Sequence, residues 1–361
     1  MSSVVGRIHI FPYKCSNIRK FTQKNENISE IDILTIRAKL WIIFSDLNKC
    51  YTDTSYTRPL TNFLNQNPNI MLVPHDKSKN LTFIYRDEYI TKLNNTFSDQ
   101  TKFTILAEKD SNISKIVTQY NVIRKTMEPY LSKSEYWQIS ALESHKKSFG
   151  SLKVHKENAP LRPIVSSIGS VTEGAERYLQ KVIRPLEEMC TLTVNSTKMF
   201  KNVFMENRNK YVHENHEIFT IDVVSLFTNV NCEMVIKYIV DQIYKSPKKF
   251  FGDDPHTKNN LGTLKRTPPK PEFRRFLTQI LTEFNQFSSL DGYVKQPEGL
   301  SMGSKLSPTL ANIYLGIMEK DIIQNQIKNG NICMYSRYVD DIFIVTKKDQ
   351  KENILNAMNN F

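Results

Sequence analysis

Hydrophobic residues recur at helical spacing in several stretches of this chain and at strand spacing in others. Val235, Ile236, Ile239, Val240 and Ile243 mark one face of a helix over 232–244, with Asn231 as its N-cap. Phe273, Phe276, Leu277, Ile280, Leu281, Phe284 and Phe287 predict a second over 272–287. A third starts near Ser307, with Pro308 in its first turn, and runs through Leu310, Ile313, Ile317 and Ile322. Upstream, 29–48 and 111–128 read as helices, the latter with Ile113, Ile116, Tyr120 and Ile123 on one face. Strand signals are shorter: Ile218–Leu226, then Cys333–Tyr338 and Ile342–Val345 flanking Val339-Asp340-Asp341 as a hairpin. Helices alternating with such strands place the chain in the α/β or α+β class.

Composition narrows the partners. The 361 residues carry 49 Lys and Arg against 37 Asp and Glu, a net charge of +12, which favours a polyanion, either nucleic acid or an acidic membrane surface. The longest compact apolar run, Leu40-Trp41-Ile42-Ile43-Phe44, is far below the ~18 residues that span a bilayer, so a membrane is not expected. Five scattered cysteines (15, 50, 190, 232 and 333) include no Cys-x-x-Cys pair; they read as reduced thiols of an intracellular protein rather than a disulfide framework.

The charge is also concentrated. Residues 245–275 hold nine Lys or Arg and only three acids, together with five prolines. This basic insertion reads as an exposed loop: a merely solvated one, or an arm whose Lys265 and Arg266 meet phosphates.

Three acids could carry chemistry. Asp222 lies within the β-prone run Phe219–Phe227, and Asp340-Asp341 between two apolar strands. A carboxylate on such a surface is either a solvent-facing residue or one compensated by a divalent metal. Asp253-Asp254, set among Gly, Pro, Lys and Asn, has the context of a turn. Successive strand residues face opposite ways, so one of Asp340 and Asp341 faces Asp222 unless the turn redirects the other. There is no G-x-x-x-x-G-K-[ST] or G-x-S-x-G motif, and His213-Glu214-Asn215-His216 is one spacer short of H-E-x-x-H.

Four segments together resemble reverse transcriptases, specifically the Penelope-like retroelement branch. They are Gly150 to Ser170, Asp222 to Val230, Gly299 to Asn312 and Tyr338-Val339-Asp340-Asp341, in the family's order. The resemblance implies an α+β right-hand polymerase: a helical N-terminal extension (1–70), a fingers region (71–216) and a palm (217–361) interrupted by the insertion. Because the sequence stops at Phe361, soon after the acid pair, no thumb is expected within it. It further implies that Asp222 and Asp340, with Asp341 adjacent, bind two Mg²⁺ (or Mn²⁺) ions. Arg162 would grip the incoming triphosphate, and Lys153 and Lys156 would assist it or contact template backbone. Phe227, five residues after Asp222, sits where the family places an aromatic gate against the ribose 2′-hydroxyl; a core Phe at a strand end is the alternative. Gly303 and Ser304 match the turn over which base and template lie. Two positions depart from the common pattern: Met302 stands where many reverse transcriptases have Gln, as is usual in the Penelope-like branch, and Lys305 stands where Pro is common.

The expected activity is RNA-directed DNA polymerisation, with an RNA template, a DNA primer and dNTPs as partners. An inactive nucleic-acid-binding remnant and a two-metal nuclease are the rivals.

Overall fold

The computed structural model describes residues 57–361 apart from 79, 191, 207, 212 and 253–255. The expected helix at 29–48, most of the N-terminal extension and the Asp253-Asp254 turn lie outside the described residues. Two compact units emerge among the described residues: one comprises 57–96 with Gly150–Pro163, the other Phe97–Phe149 with Ile164–Phe361. Of the expected fingers region, 71–96 and 150–163 fall in the first unit, and 97–149 and 164–216 fall in the second with 217–361.

In the first unit, α1 (Thr57–Gln66) precedes the antiparallel pair β1 (Ile70–Pro74) and β2 (Leu81–Tyr85), followed by α2 (Arg86–Thr96). Tyr89 of α2 is buried, and its hydroxyl accepts from the Gly150 N–H at 2.7 Å. The Asp76 N–H donates to the Leu152 carbonyl, so the second stretch of the unit lies along the end of β1.

The second unit begins with β3 (Thr104–Leu106), α3 (Ile113–Met127) and α4 (Lys133–Gln138). The chain passes between the units along β4 (Lys146–Leu152) and β5 (Leu161–Ser166). Then come α5 (Glu173–Glu187), α6 (Thr197–Glu206), β6 (His216–Asp222), the single-turn α7 (Leu226–Asn229), α8 (Cys232–Ile243), α9 (Pro247–Phe251) and α10 (Lys270–Thr278). The hairpin β7 (Gln286–Ser289) and β8 (Gly292–Lys295), α11 (Ser307–Met318), α12 (Gln324–Lys328), β9 (Ile332–Tyr338), β10 (Asp341–Lys347) and α13 (Lys351–Asn359) complete it. A mixed sheet runs β3-β8-β7-β4-β5 and a three-stranded antiparallel one β6-β10-β9.

Local chemistry accounts for most element ends. Asn231 caps α8 by accepting from the Met234 N–H at 3.0 Å, and Asn112 caps α3 in the same way. Pro308 fits the first turn of α11, where its missing N–H leaves no bond unmade. The expected helix over 272–287 is shorter: α10 ends in a π-helical turn at Gln279–Glu283, and Phe287 belongs to β7. α11 ends in a similar π turn, Glu319–Ile323. The apolar faces of α5, α8, α10 and α11 form one core with Ile342 and Ile344 from one face of the β6-β10-β9 sheet. The opposite face carries Asp222 and Asp341 at one end and, next to them, Phe343 packed edge-on against Phe200 and Phe204 of α6.

The basic insertion is not a free loop. Asn259 is buried and donates to the Pro129 carbonyl and to Thr263 Oγ1, while the Asn260 N–H donates to Leu131. Phe251 packs edge-on against Phe273, ring centroids 5.1 Å apart. The proline-rich segment thus docks through its described residues. No helix among the described residues is long and apolar enough to cross a membrane.

Candidate active site

The register of β6 against β10 places Asp222 directly opposite Asp341. Directly opposed residues share a face of the sheet with Cβ atoms about 4.5–5.5 Å apart. The next pair, Ile221 and Ile342, points into the core, and the one after it, Thr220 and Phe343, returns to the acid-bearing face. The alternation therefore assigns Asp341 as the strand partner of Asp222. Asp340 instead occupies the turn, since Tyr338 pairs with Asp341 across a two-residue loop of Val339 and Asp340. The Asp340 carbonyl accepts from the Val223 N–H at 3.2 Å, tying the loop to the end of β6.

Val339 has φ +56° while Asp340 does not have positive φ, which is the arrangement of a type II′ turn. The first position of such a turn ordinarily goes to glycine, and a β-branched residue there is strained by about 1–3 kcal/mol.

None of the three carboxylates has a basic side chain within ion-pair distance among the described residues, and Asp222 and Asp341 are exposed. Like charges directly opposed on a sheet repel, so the arrangement favours a bound cation. The hard carboxylate oxygens suit Mg²⁺ or Mn²⁺. No three His, Cys, Asp or Glu among the described residues are gathered into a ready-made metal cage. The acids thus fit an ion held by one or two carboxylates and completed by substrate phosphates, the usual mode for Mg²⁺.

Beside the acids, the chain leaves β6 through Ser225, itself at φ +51°, into α7. Phe227 on α7 is half-buried against the main core, and its carbonyl accepts from the Leu300 N–H at 2.7 Å. The ring is thus held in part by the core and remains in part accessible. Gly299, at φ +71°, lies against α7 so closely that a Cβ would come within 2.6 Å of the Thr228 carbonyl oxygen. Gly303, at φ +110°, approaches β5: a Cβ there would lie 2.8 Å from the Val165 carbonyl oxygen. Only glycine satisfies both the backbone angle and the space. The close approach at Gly303 is thus to the protein's own strand.

Ser304 is buried and donates to Glu176 Oε2 at 2.8 Å. Glu176 also pairs with the buried Lys146, 2.9 Å away, and accepts from Thr172. One carboxylate thereby joins β4, α5 and the Gly299–Ser304 segment. Burial pushes the Glu176 carboxyl up, but Lys146 and Ser304 outweigh it and hold the group below the ordinary carboxylate value. The Ser304 hydroxyl is therefore committed inward, and its part in the expected nucleotide turn is to anchor it.

Arg162, Lys153 and Lys156 belong to the first unit and form a cluster there. Arg162 Nε sits 2.8 Å from Oδ1 of Asp76, whose side chain is largely covered, an ion pair that leaves both Nη nitrogens without a partner among the described residues. Burial, then the neighbouring Arg162 and Lys156, push the Lys153 ammonium down, while Asp76 opposes them. Lys156 is exposed in the turn after β4, where Asn158 and Ala159 adopt positive φ. A guanidinium ion-paired through Nε with its fork free is suited to bidentate phosphate.

Lys265 has partners within the protein. Its ammonium lies 2.8 Å from Glu135 Oε2 and donates to the Phe251 carbonyl. Glu135 is in turn the capping-box partner of Ser132 at the start of α4. Lys265 thus pins the insertion to α4, and its charge is already neutralised locally. Arg266 next to it is exposed and has no ion-pair partner among the described residues.

Sequence reasoning passed over Arg337 and Glu319. Both are buried and form an ion pair on the core face of the sheet, directly behind the acid turn. A buried Arg three residues before Asp340 has no local sequence signal; only the register exposes it.

Comparison with known proteins agrees with this geometry. Residues 154–361, more than half of the chain, match the family described as reverse transcriptase (RNA-dependent DNA polymerase). Among solved structures, telomerase from Candida tropicalis in complex with a fragment of telomeric RNA is similar (TM-score 0.52, 11% identity, 94% of this chain and 54% of that one). So are telomerase from Candida albicans with a fragment of telomeric RNA (0.51, 12%, 86% and 52%) and apo telomerase from Candida tropicalis truncated from its C-terminal domain (0.50, 10%, 85% and 59%). The chain thus spans between about half and six-tenths of the length of these structures, and at such identities the likeness speaks to fold. No curated protein sequence matches it. The fold is the mixed helix-and-strand fold of a right-hand polymerase, and the chain belongs to the reverse transcriptase (RNA-dependent DNA polymerase) family.

Proposed function

We infer that the protein is the RNA-directed DNA polymerase of a Penelope-like retroelement, adding dNTPs to a primer 3′-hydroxyl on an RNA template. One observation carries the chemistry: Asp222 and Asp341 face each other across β6 and β10, Asp340 fills the turn, and no protein cation among the described residues neutralises them. Two Mg²⁺ or Mn²⁺ ions, when bound, would lower the pKa of the primer hydroxyl and offset the charge building on the α-phosphate. The chain's own part is to supply carboxylate oxygens on one rigid sheet. Arg162, braced by Asp76, would offer its free fork to the triphosphate. Phe227, held by Leu300 and the core, would crowd a ribose 2′-hydroxyl and so favour deoxynucleotides. The Penelope-like assignment is supported by Gly150–Ser170, Met302 and the Tyr338–Asp341 segment. An RNA partner is supported by the two telomerase structures that contain telomeric RNA.

The test is primer extension on an RNA template with Mg²⁺ or Mn²⁺, comparing wild type with Asp340→Asn. Template-directed dNTP incorporation that the substitution abolishes is the expected result. RNA binding without incorporation in the wild type would leave a non-catalytic binding protein. Cleavage that needs no dNTP and vanishes in Asp222→Asn would identify a nuclease.

A further inference from the structure

Arg337 is fully buried, on the face of β9 turned away from the acids. A charge in that position needs compensation, and the guanidinium has it on every side. Nε pairs with Glu319 Oε1, and Nη2 lies 3.4 Å from Glu319 Oε2. Nη1 donates to Asn312 Oδ1 at 2.9 Å and to the carbonyl of Val339 at 3.0 Å. Asn312 is itself held by Glu187, which also accepts from Thr309. Glu319 opens the π-helical turn that ends α11, and Tyr335 donates to it as well.

Neutralising Glu319 explains part of this cluster but not the bond to Val339. That carbonyl belongs to the strained residue of the acid turn, at φ +56°. The bond to it comes from a five-donor fork whose other contacts fix its position. The following carbonyl, that of Asp340, is tied to Val223. Two successive carbonyls of the turn are thus tethered, one to the core and one to β6.

We propose that Arg337 is a positioning residue: clamped by Glu319 and Asn312, it holds the Val339 carbonyl and with it the left-handed backbone that presents the Asp340 carboxylate to a catalytic metal. The inference rests on the reading of Asp222, Asp340 and Asp341 as metal ligands. It makes the buried network a determinant of metal affinity and turnover. Groups that brace metal ligands from behind typically cost about 10–100-fold in affinity or activity when changed.

The experiment uses the full chain in four forms: wild type, Arg337→Lys, Arg337→Lys with Val339→Gly, and Asp222→Asn. Thermal melting confirms folding, Mn²⁺ affinity is read by EPR without nucleic acid, and kcat and KM are read for single-dNTP addition. Arg337→Lys keeps the charge beside Glu319 but cannot span Glu319, Asn312 and Val339 at once. It should lose about 10–100-fold in Mn²⁺ affinity and in kcat, with KM for dNTP unchanged. Adding Val339→Gly should recover most of the loss, because glycine holds positive φ without a tether. If Arg337→Lys does not fold, Glu319→Leu with Arg337→Met removes the buried charges together and should show the same loss. Wild-type Mn²⁺ affinity in a folded Arg337 variant overturns the proposal, as does failure of Val339→Gly to recover any of it. If wild type binds Mn²⁺ in an Asp222-dependent way yet adds no dNTP, the polymerase reading fails while the Mn²⁺ measurements still decide the role of Arg337.

Discussion

Val339 shows how a single residue can be unfavourable locally and still be held in place. Its positive φ costs about 1–3 kcal/mol, while glycine's greater freedom in the unfolded chain costs only about 0.4–1 kcal/mol. Strain relief outweighs the added freedom, so Val339→Gly should raise the melting temperature. A thermal melt showing a clear fall would mean that the Val339 side chain contributes more than its backbone costs. In the linear sequence Asp222, Asp340 and Asp341 stand out by their apolar strand context, which a solvent-facing residue would share; their proposed role comes from the resemblance to reverse transcriptases. Which of the pair opposes Asp222 was not legible, since that depends on a register that one residue of slip would invert. Arg337 was illegible for the same reason: in the sequence it is one more cation in a basic chain, and only pairing assigns it to the core face.

Among the elements, the strongly periodic helices were read with the right faces, α8 and α11 most clearly. The helix expected over 272–287 was overextended, because a helical run of aromatic residues continues through the π turn into β7. The β7-β8 hairpin was missed although Asp291-Gly292 is a strong turn signal; its strands are only four residues each. The joint between β4, α5 and the Gly299–Ser304 segment carries a prediction about pH. Glu176 is held below the ordinary carboxylate value of 4.5. The stability this contributes is complete above that value and is lost as the pH falls through the folded one. Melting temperature should therefore decline on the acid side of 4.5. Lys146→Met with Glu176→Leu, which replaces the buried pair by apolar groups, should make that decline shallower. An unchanged acid limb would show that the pair does not contribute to it.

For the whole molecule, the net charge of +12 pointed to a polyanion, but the charges are not equivalent. Lys265 is neutralised by Glu135, whereas Lys156 and Arg266 are exposed without ion-pair partners among the described residues. Removing a cation that meets one phosphate lowers the slope of log affinity against log salt by about 0.7–0.9. Lys156→Ala and Arg266→Ala should each flatten the salt dependence of RNA binding by that order. Lys265→Ala should leave the slope intact and lower the melting temperature. The reverse pattern would return Lys265 to the binding surface and make the docked insertion a functional arm. Whether Asp222, Asp340 and Asp341 form the proposed metal-dependent polymerase centre is decided by the rate of single-dNTP addition to a primed RNA template in wild type and Asp222→Asn, with RNA affinity measured in parallel. The expected result is Mg²⁺-dependent addition by the wild type, loss of addition in the variant, and equal RNA affinity. Addition at the wild-type rate by Asp222→Asn would contradict it.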